Sequence, residues 1–98
     1  MIRKEKMPRT DEMYKAILAL KTLEECKAFF NDLCSISEIM ALEQRFTVAR
    51  LLYNDLSYSA ITEKTKASSA IVSRVNRSLI YGEGGYKIVF ERLGEEEK

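Results

Sequence analysis

The scarcity of helix-breaking residues constrains the fold of this chain more than any other feature. Proline occurs once, at Pro8, and all four glycines lie at or after Gly82. Between these two positions apolar residues recur every three or four residues, and they never alternate with polar residues over the length of a strand. Amphipathic helices require the first pattern and half-buried strands the second, so the sequence predicts an all-α fold.

Hydroxyl side chains that can cap helices divide the chain into six predicted helices. The first five begin after Thr10, Thr22, Ser35, Ser57 and Ser68, and the last covers the segment "YKIVFERL". Two of these starts have capping-box spacing, because Thr22 is followed by Glu25 and Ser35 by Glu38. In a capping box each side chain can bind the other residue's backbone N–H, which makes these helix starts well defined.

The length of 98 residues fits one helical domain over residues 1–98. Within it we predict a basic N-terminal arm (1–9), dimerisation helices (10–56), a helix-turn-helix (57–81), and a C-terminal helix with an acidic tail (86–98). The first two helices carry Tyr14, Leu18, Phe29 and Phe30 in addition to their apolar stripes. So small a monomer has little interior for them, which favours a homodimer that shares its core. A compact monomer with exposed aromatic residues is the alternative.

Several classes of protein are disfavoured by composition. No apolar run approaches the roughly 18 residues that a membrane span needs, and no apolar segment follows the basic N-terminus, so we expect a cytoplasmic protein. The chain has no histidine, and Cys26 and Cys34 lie in apolar surroundings typical of buried thiols. We therefore predict no metal and no cofactor. Without a phosphate-binding glycine loop or a base beside either cysteine, an enzyme is not expected.

The net charge of +1 is uninformative, but the charge is unevenly distributed. Residues 57–81 hold four cationic side chains against the single acidic Glu63. On a helical wheel, Ile71, Val72, Val75 and Leu79 form one apolar sector of the segment that begins after Ser68. The opposite sector carries small residues near the N-terminus and arginines further along. These outward residues are Ser69, Ala70, Ser73 and Arg77, with Arg74 at the flank.

Such a helix suits the major groove of double-stranded DNA. We predict that Ser68, Ser69, Ala70 and Ser73 contact base edges and that Lys66, Arg74 and Arg77 contact phosphates. The preceding segment has Ala60, Ile61 and Ala67 at the spacing with which two steeply crossing helices pack as a helix-turn-helix. Spacing alone leaves a second interpretation open, which is an ordinary pair of helices with a solvated basic face.

At this point the sequence resembles a known family. The stretches "SISEIMALEQRFTVARLL", "LSYSAI" and "ASSAIVSRVNRSLIYGEGGY" are similar to the tryptophan repressor family, and to its branch of small repressor-like bacterial proteins. The resemblance covers residues 33–85, roughly half of the chain. It implies an all-helical, intertwined homodimer with one helix-turn-helix per subunit. Two reading helices about 34 Å apart would then select a palindromic operator.

The resemblance also implies an effector pocket made of Ser35, Arg45, Arg74 and Ser78. Val75, however, stands where the tryptophan-binding repressor has a glycine against which the indole packs. Its side chain would overfill that space, so we expect an effector other than tryptophan, or DNA binding without a ligand. Two simpler roles remain open: an ion pair between Arg45 and Glu38 or Glu43, and a phosphate contact for Arg74.

Together these observations predict a sequence-specific DNA-binding transcriptional regulator of the repressor type. The rival prediction is a helical protein-protein interaction module whose basic helix meets an acidic partner and which has no DNA operator. Sequence-dependent retardation of DNA at physiological salt separates the two.

Overall fold

The structure is a computed structural model that describes residues 6–97, with side chains to residue 94. Within that range it contains no strand and six α-helices, which confirms the predicted fold class. They are α1 (Glu12–Leu18), α2 (Leu23–Leu33), α3 (Ile36–Tyr53), α4 (Tyr58–Thr65), α5 (Ser69–Tyr81) and α6 (Gly85–Glu97). The first five residues of the predicted basic arm, including Arg3 and Lys4, lie outside the described residues.

The start of α1 differs by one residue from the prediction. Asp11, and not Thr10, is the N-cap, and its side chain makes no capping hydrogen bond. The Thr10 hydroxyl accepts a long hydrogen bond of 3.4 Å from the backbone N–H of Glu12. The helix ends at Leu18, where the backbone N–H of Ala19 bonds to both the Lys15 and Ala16 carbonyls. A weakly capped helix of two turns has little stability of its own.

Half of the predicted capping box at α2 is present. The Thr22 hydroxyl accepts from the backbone N–H of Glu25 at 3.0 Å. The Glu25 carboxylate binds one residue earlier than predicted, accepting from the backbone N–H of Lys21 at 2.8 Å. Both donors would otherwise lack an intrahelical partner, so the helix start is still satisfied.

Contacts divide the chain into two units, which meet in sequence at Ser35 and Ile36. In the first unit neither helix has a buried residue. In the second unit, α5 packs against α3 and α4 around one hydrophobic core. The buried core side chains are Val48, Ala49, Ile61, Ala67, Val72, Val75 and Phe90.

The connection from α3 to α4 is a Schellman motif. The backbone N–H of Leu56 bonds to the Leu51 carbonyl at 3.1 Å, and that of Asp55 to the Leu52 carbonyl at 2.9 Å. Asp55 has φ of 69°, the left-handed conformation that this motif requires. Leu51 and Leu56 both pack against the core, as is usual for the two ends of the motif.

The end of α5 requires glycine. A Cβ at Gly82 would collide with the carbonyl oxygen of Ser78, and the Gly82 N–H bonds to that same oxygen at 2.9 Å. The chain then turns into α6, whose Phe90 is 3% exposed and lies 5.5 Å from Phe46 and 5.0 Å from Tyr53 between ring centroids. These ring contacts attach α6 to α3.

Candidate nucleic-acid interface

The turn between α4 and α5 has only three residues, Lys66, Ala67 and Ser68. Ala67 is 3% exposed and belongs to the core, so the turn is anchored to the interior at its middle residue. The Ser68 hydroxyl caps α5 by accepting from the backbone N–H of Ile71 at 3.2 Å. This is the cap that the sequence predicts, and it fixes where α5 begins.

Thr65 holds the same turn through three hydrogen bonds. Its hydroxyl donates to the Ile61 carbonyl at 2.8 Å and accepts from the backbone N–H of Ala67 at 3.2 Å. Its carbonyl accepts from the Gln44 side-chain amide of α3 at 3.1 Å. The angle between α4 and α5 is therefore fixed both by the core and by a polar link to α3.

The two faces of α5 have the predicted character. Val72 and Val75 are buried, and Ile71 and Leu79 pack against the core. All seven residues predicted to contact DNA are exposed: Lys66, Ser68, Ser69, Ala70, Ser73, Arg74 and Arg77. Four of these seven are serine or alanine, so a partner surface could approach the backbone of α5 closely at its N-terminal end.

Within the described part of the chain, neither Arg74 nor Arg77 makes a hydrogen bond or an ion pair. Residues 64–81 contain no acidic side chain that could neutralise them. Unneutralised guanidinium groups on an exposed helix face create a local positive potential, which is the electrostatic condition for binding a polyanion.

Lys66 adopts an unusual backbone conformation. Its φ of 64° and ψ of 11° lie in the left-handed region, where a side chain costs about 1–2 kcal/mol relative to glycine. Helix-turn-helix turns often contain glycine for this reason. The lysine side chain is exposed and has no partner among residues 6–97. No side chain in the described range offsets this backbone cost by pairing with the ammonium group.

Tyr81 is a surface residue that the sequence analysis did not select. It is 81% exposed, more than almost any other large apolar residue that the structure describes. It follows Arg74 by seven residues and Arg77 by four, so all three lie on one stripe of α5. The signal that could have identified Tyr81 is its place on the helical wheel, in the outward sector beside the two arginines.

The four predicted effector residues belong to both units of the chain. Ser35 belongs to the first unit, while Arg45, Arg74 and Ser78 are exposed residues of the second. An open groove of about 520 Å³ lies between α3 and α4. Its lining is Met40, Ala41, Glu43, Gln44, Thr47, Lys64 and Thr65, which includes none of the four.

An ion pair of Arg45 with Glu38 or Glu43 stays a prediction. A phosphate contact for Arg74 stays a prediction. Val75, at 3% exposure, is part of the hydrophobic core, so its side chain fills interior space directly after Arg74.

Residues 6–97 contain no cluster of potential metal ligands, and Cys26 and Cys34 are partly buried free thiols. None of the described helices is both long enough and apolar enough to cross a bilayer.

Two helices joined by a three-residue turn, with a buried middle residue in the turn and one exposed face on the second helix, define a helix-turn-helix protein. The model of the Trp repressor protein family matches residues 9–94. The chain therefore belongs to the Trp repressor family, a family of DNA-binding regulators. The predicted resemblance is confirmed and extends over the N-terminal helices as well.

Relatives of known sequence or structure agree with this assignment. The chain is 47% identical to the uncharacterized protein YerC of Bacillus subtilis, over 89% of this chain and 84% of that protein. A TrpR-like protein from Eubacterium eligens superposes with a TM-score of 0.83 at 55% identity, covering 86% of this chain and 87% of the other. A structure from Staphylococcus aureus described as a Trp repressor candidate superposes with a TM-score of 0.82 at 42% identity, covering 86% of this chain and 84% of the other.

Proposed function

We propose that this protein is a cytoplasmic transcriptional repressor that binds a palindromic DNA operator as a homodimer. The observation that carries the proposal is the exposed face of α5, which is small-sided at its N-terminal end and cationic further along. Small residues permit close approach to base edges, and free arginines bind phosphates. In the proposal Ser68, Ser69, Ala70 and Ser73 contact bases, while Lys66, Arg74 and Arg77 contact the backbone.

The first unit supports the homodimer. Its helices have no buried residue, yet Met13, Tyr14, Leu18, Leu23 and Leu33 are all exposed large hydrophobic residues. Leaving this apolar surface in water is unfavourable, and a second copy of the chain would cover it. A two-fold axis would then present two copies of α5 to successive major grooves, about 34 Å apart.

DNA binding in this proposal does not depend on tryptophan. Val75 occupies buried volume beside Arg74, which leaves no flat backbone surface there for an indole ring. A regulator of this design uses an effector other than tryptophan, or no effector. In a gel-shift titration, saturating tryptophan should leave the affinity for the operator unchanged, whereas a marked increase would contradict this part of the proposal.

Selection from random duplex DNA, followed by titration at several salt concentrations, tests the central claim. The wild-type protein should enrich a two-fold symmetric site and bind it more weakly as salt rises. Arg77→Ala should weaken binding to all DNA equally and reduce the salt slope by about 0.9 for each lost contact, hence by about two in a dimer. Ala70→Ser should instead alter which site is enriched.

A matched control is Arg92→Ala, which removes an exposed arginine of α6 that lies outside the proposed interface. This variant should have the same affinity for DNA and the same salt slope as the wild-type protein. If the wild-type protein enriches no site and retards no duplex at physiological salt, the interaction-module alternative takes the place of this proposal.

A further inference from the structure

Tyr81 ends α5 at the position where a reading helix would leave the major groove. Of the five tyrosines in the chain, Tyr14 binds Arg9, and Tyr53 and Tyr86 contact the ring of Phe90. Tyr58 and Tyr81 have no hydrogen bond and no ring contact among the described residues. Of these two, Tyr81 is the more exposed, at 81% against 41%. Its phenol group is therefore an unused donor on a large exposed apolar ring.

The register of α5 places Tyr81 in line with the residues of the proposed interface. Ala70, Arg74, Arg77 and Tyr81 follow one another at intervals of four, three and four residues. Such spacing keeps side chains on one face of a helix, and in α5 that face is opposite the buried Val72 and Val75.

Distance along the helix decides which part of the DNA Tyr81 would meet. At 1.5 Å per residue, Tyr81 lies about 16 Å beyond Ala70 along the axis of α5. The major groove is only about 12 Å wide, so a helix that reads bases at Ala70 reaches the sugar-phosphate backbone before it reaches Tyr81. Arg77, about 10 Å from Ala70, would lie near the rim, and Tyr81 one helical turn further out.

We propose that Tyr81 is a DNA-positioning residue whose phenol hydroxyl donates a hydrogen bond to a backbone phosphate beyond the one bound by Arg77. The inference rests on the proposed function and extends its interface by one contact per subunit. Tyrosine is among the side chains that commonly bind phosphate oxygens, and such contacts fix orientation without reading sequence. A second copy of this chain is a poorer occupant of this stripe, because apposing two such stripes would bring unneutralised arginines together.

The test compares Tyr81→Phe with the wild-type protein on the selected operator and on random duplex DNA. The variant should bind both DNAs roughly ten- to a hundredfold more weakly for each lost contact, because a hydrogen bond to a charged oxygen is removed. The salt slope should not change, because no cation is lost. Tyr81→Arg should restore the affinity and steepen the slope by about 0.9 per contact.

Tyr53→Phe is the matched control, since it removes the same hydroxyl from α3, where the ring contacts Phe90. It should bind DNA as the wild type does. Sedimentation of Tyr81→Phe should show the wild-type oligomeric state. Wild-type affinity of Tyr81→Phe, or an altered oligomeric state, would overturn this inference and leave the proposed function in place. A wild-type protein that binds no DNA would instead overturn the proposed function.

Discussion

The two units of this chain differ in how they use hydrophobic residues. The second unit buries Ile61, Val72 and its other core residues within a single copy of the chain. The helices of the first unit, α1 and α2, bury none, and Leu18 is 84% exposed and Leu23 65% exposed. One unit thus holds the helix-turn-helix on a core of its own, whereas the other has amphipathic helices without a core. Under the proposed function, DNA reading and dimer assembly would therefore be carried out by different parts of the chain.

The largest expected effect concerns the first unit. If a second copy covers Leu18 and Leu23, replacing both with alanine should weaken the dimer by about 4 kcal/mol or more, which is roughly a thousandfold in Kd. Sedimentation equilibrium of the double variant beside Lys15→Ala, a polar residue of α1, measures this difference. Equal association of the double variant and the control, or a wild-type protein that is monomeric at micromolar concentration, would remove the assembly role of the first unit.

The second unit should respond to loss of core volume. Ile61→Ala, at a side chain with 0% exposure, should lower the free energy of unfolding by about 2–5 kcal/mol. Ile36→Ala, at 70% exposure, should change it by about 0.5 kcal/mol or less. Denaturant titration of both variants measures the two changes in the free energy of unfolding. A large loss at Ile36 would sharpen the comparison, because it would mean that the covered surface extends into the start of α3.

The smallest expected effect concerns the turn between α4 and α5 in the second unit. Lys66→Gly removes the left-handed side chain, so stability should be unchanged or should rise by about 1 kcal/mol, while DNA binding weakens. Lys64→Gly, two residues earlier inside α4, should instead lower stability by about 1 kcal/mol. Thermal unfolding and the gel-shift titration together measure both quantities. If Lys66→Gly is the less stable of the two, the left-handed lysine is held by contacts and not merely tolerated.

Local chemistry explains why much of this fold is predictable. Ser57 and Ser68 cap their helices as the sequence indicates, with Oγ to N distances of 3.2 Å in both cases. Helix periodicity alone identifies the buried face of α5, because three or four apolar residues must share one side. Both signals depend on residues that lie close together in sequence.

The features that the sequence did not predict depend on competition between neighbouring hydrogen-bond donors or on packing between helices that are distant in sequence. The Glu25 carboxylate had two backbone donors within reach, Thr22 and Lys21, and the sequence cannot rank them. The left-handed conformations of Asp55 and Lys66 follow from the way α3, α4 and α5 pack, because neither residue type requires positive φ. Tyr81 was missed for a different reason: a bulky aromatic on a wheel is usually taken as a core residue.

The separation of the two faces of α5 affects how such a regulator can evolve. Ser69, Ala70 and Ser73 are exposed, so their replacement should change the folding free energy by about 0.5 kcal/mol or less. If these residues contact bases as proposed, single substitutions at these positions can change the preferred DNA site while the core that orients α5 stays the same. Paralogues with distinct operators could arise from one ancestor without passing through unstable intermediates.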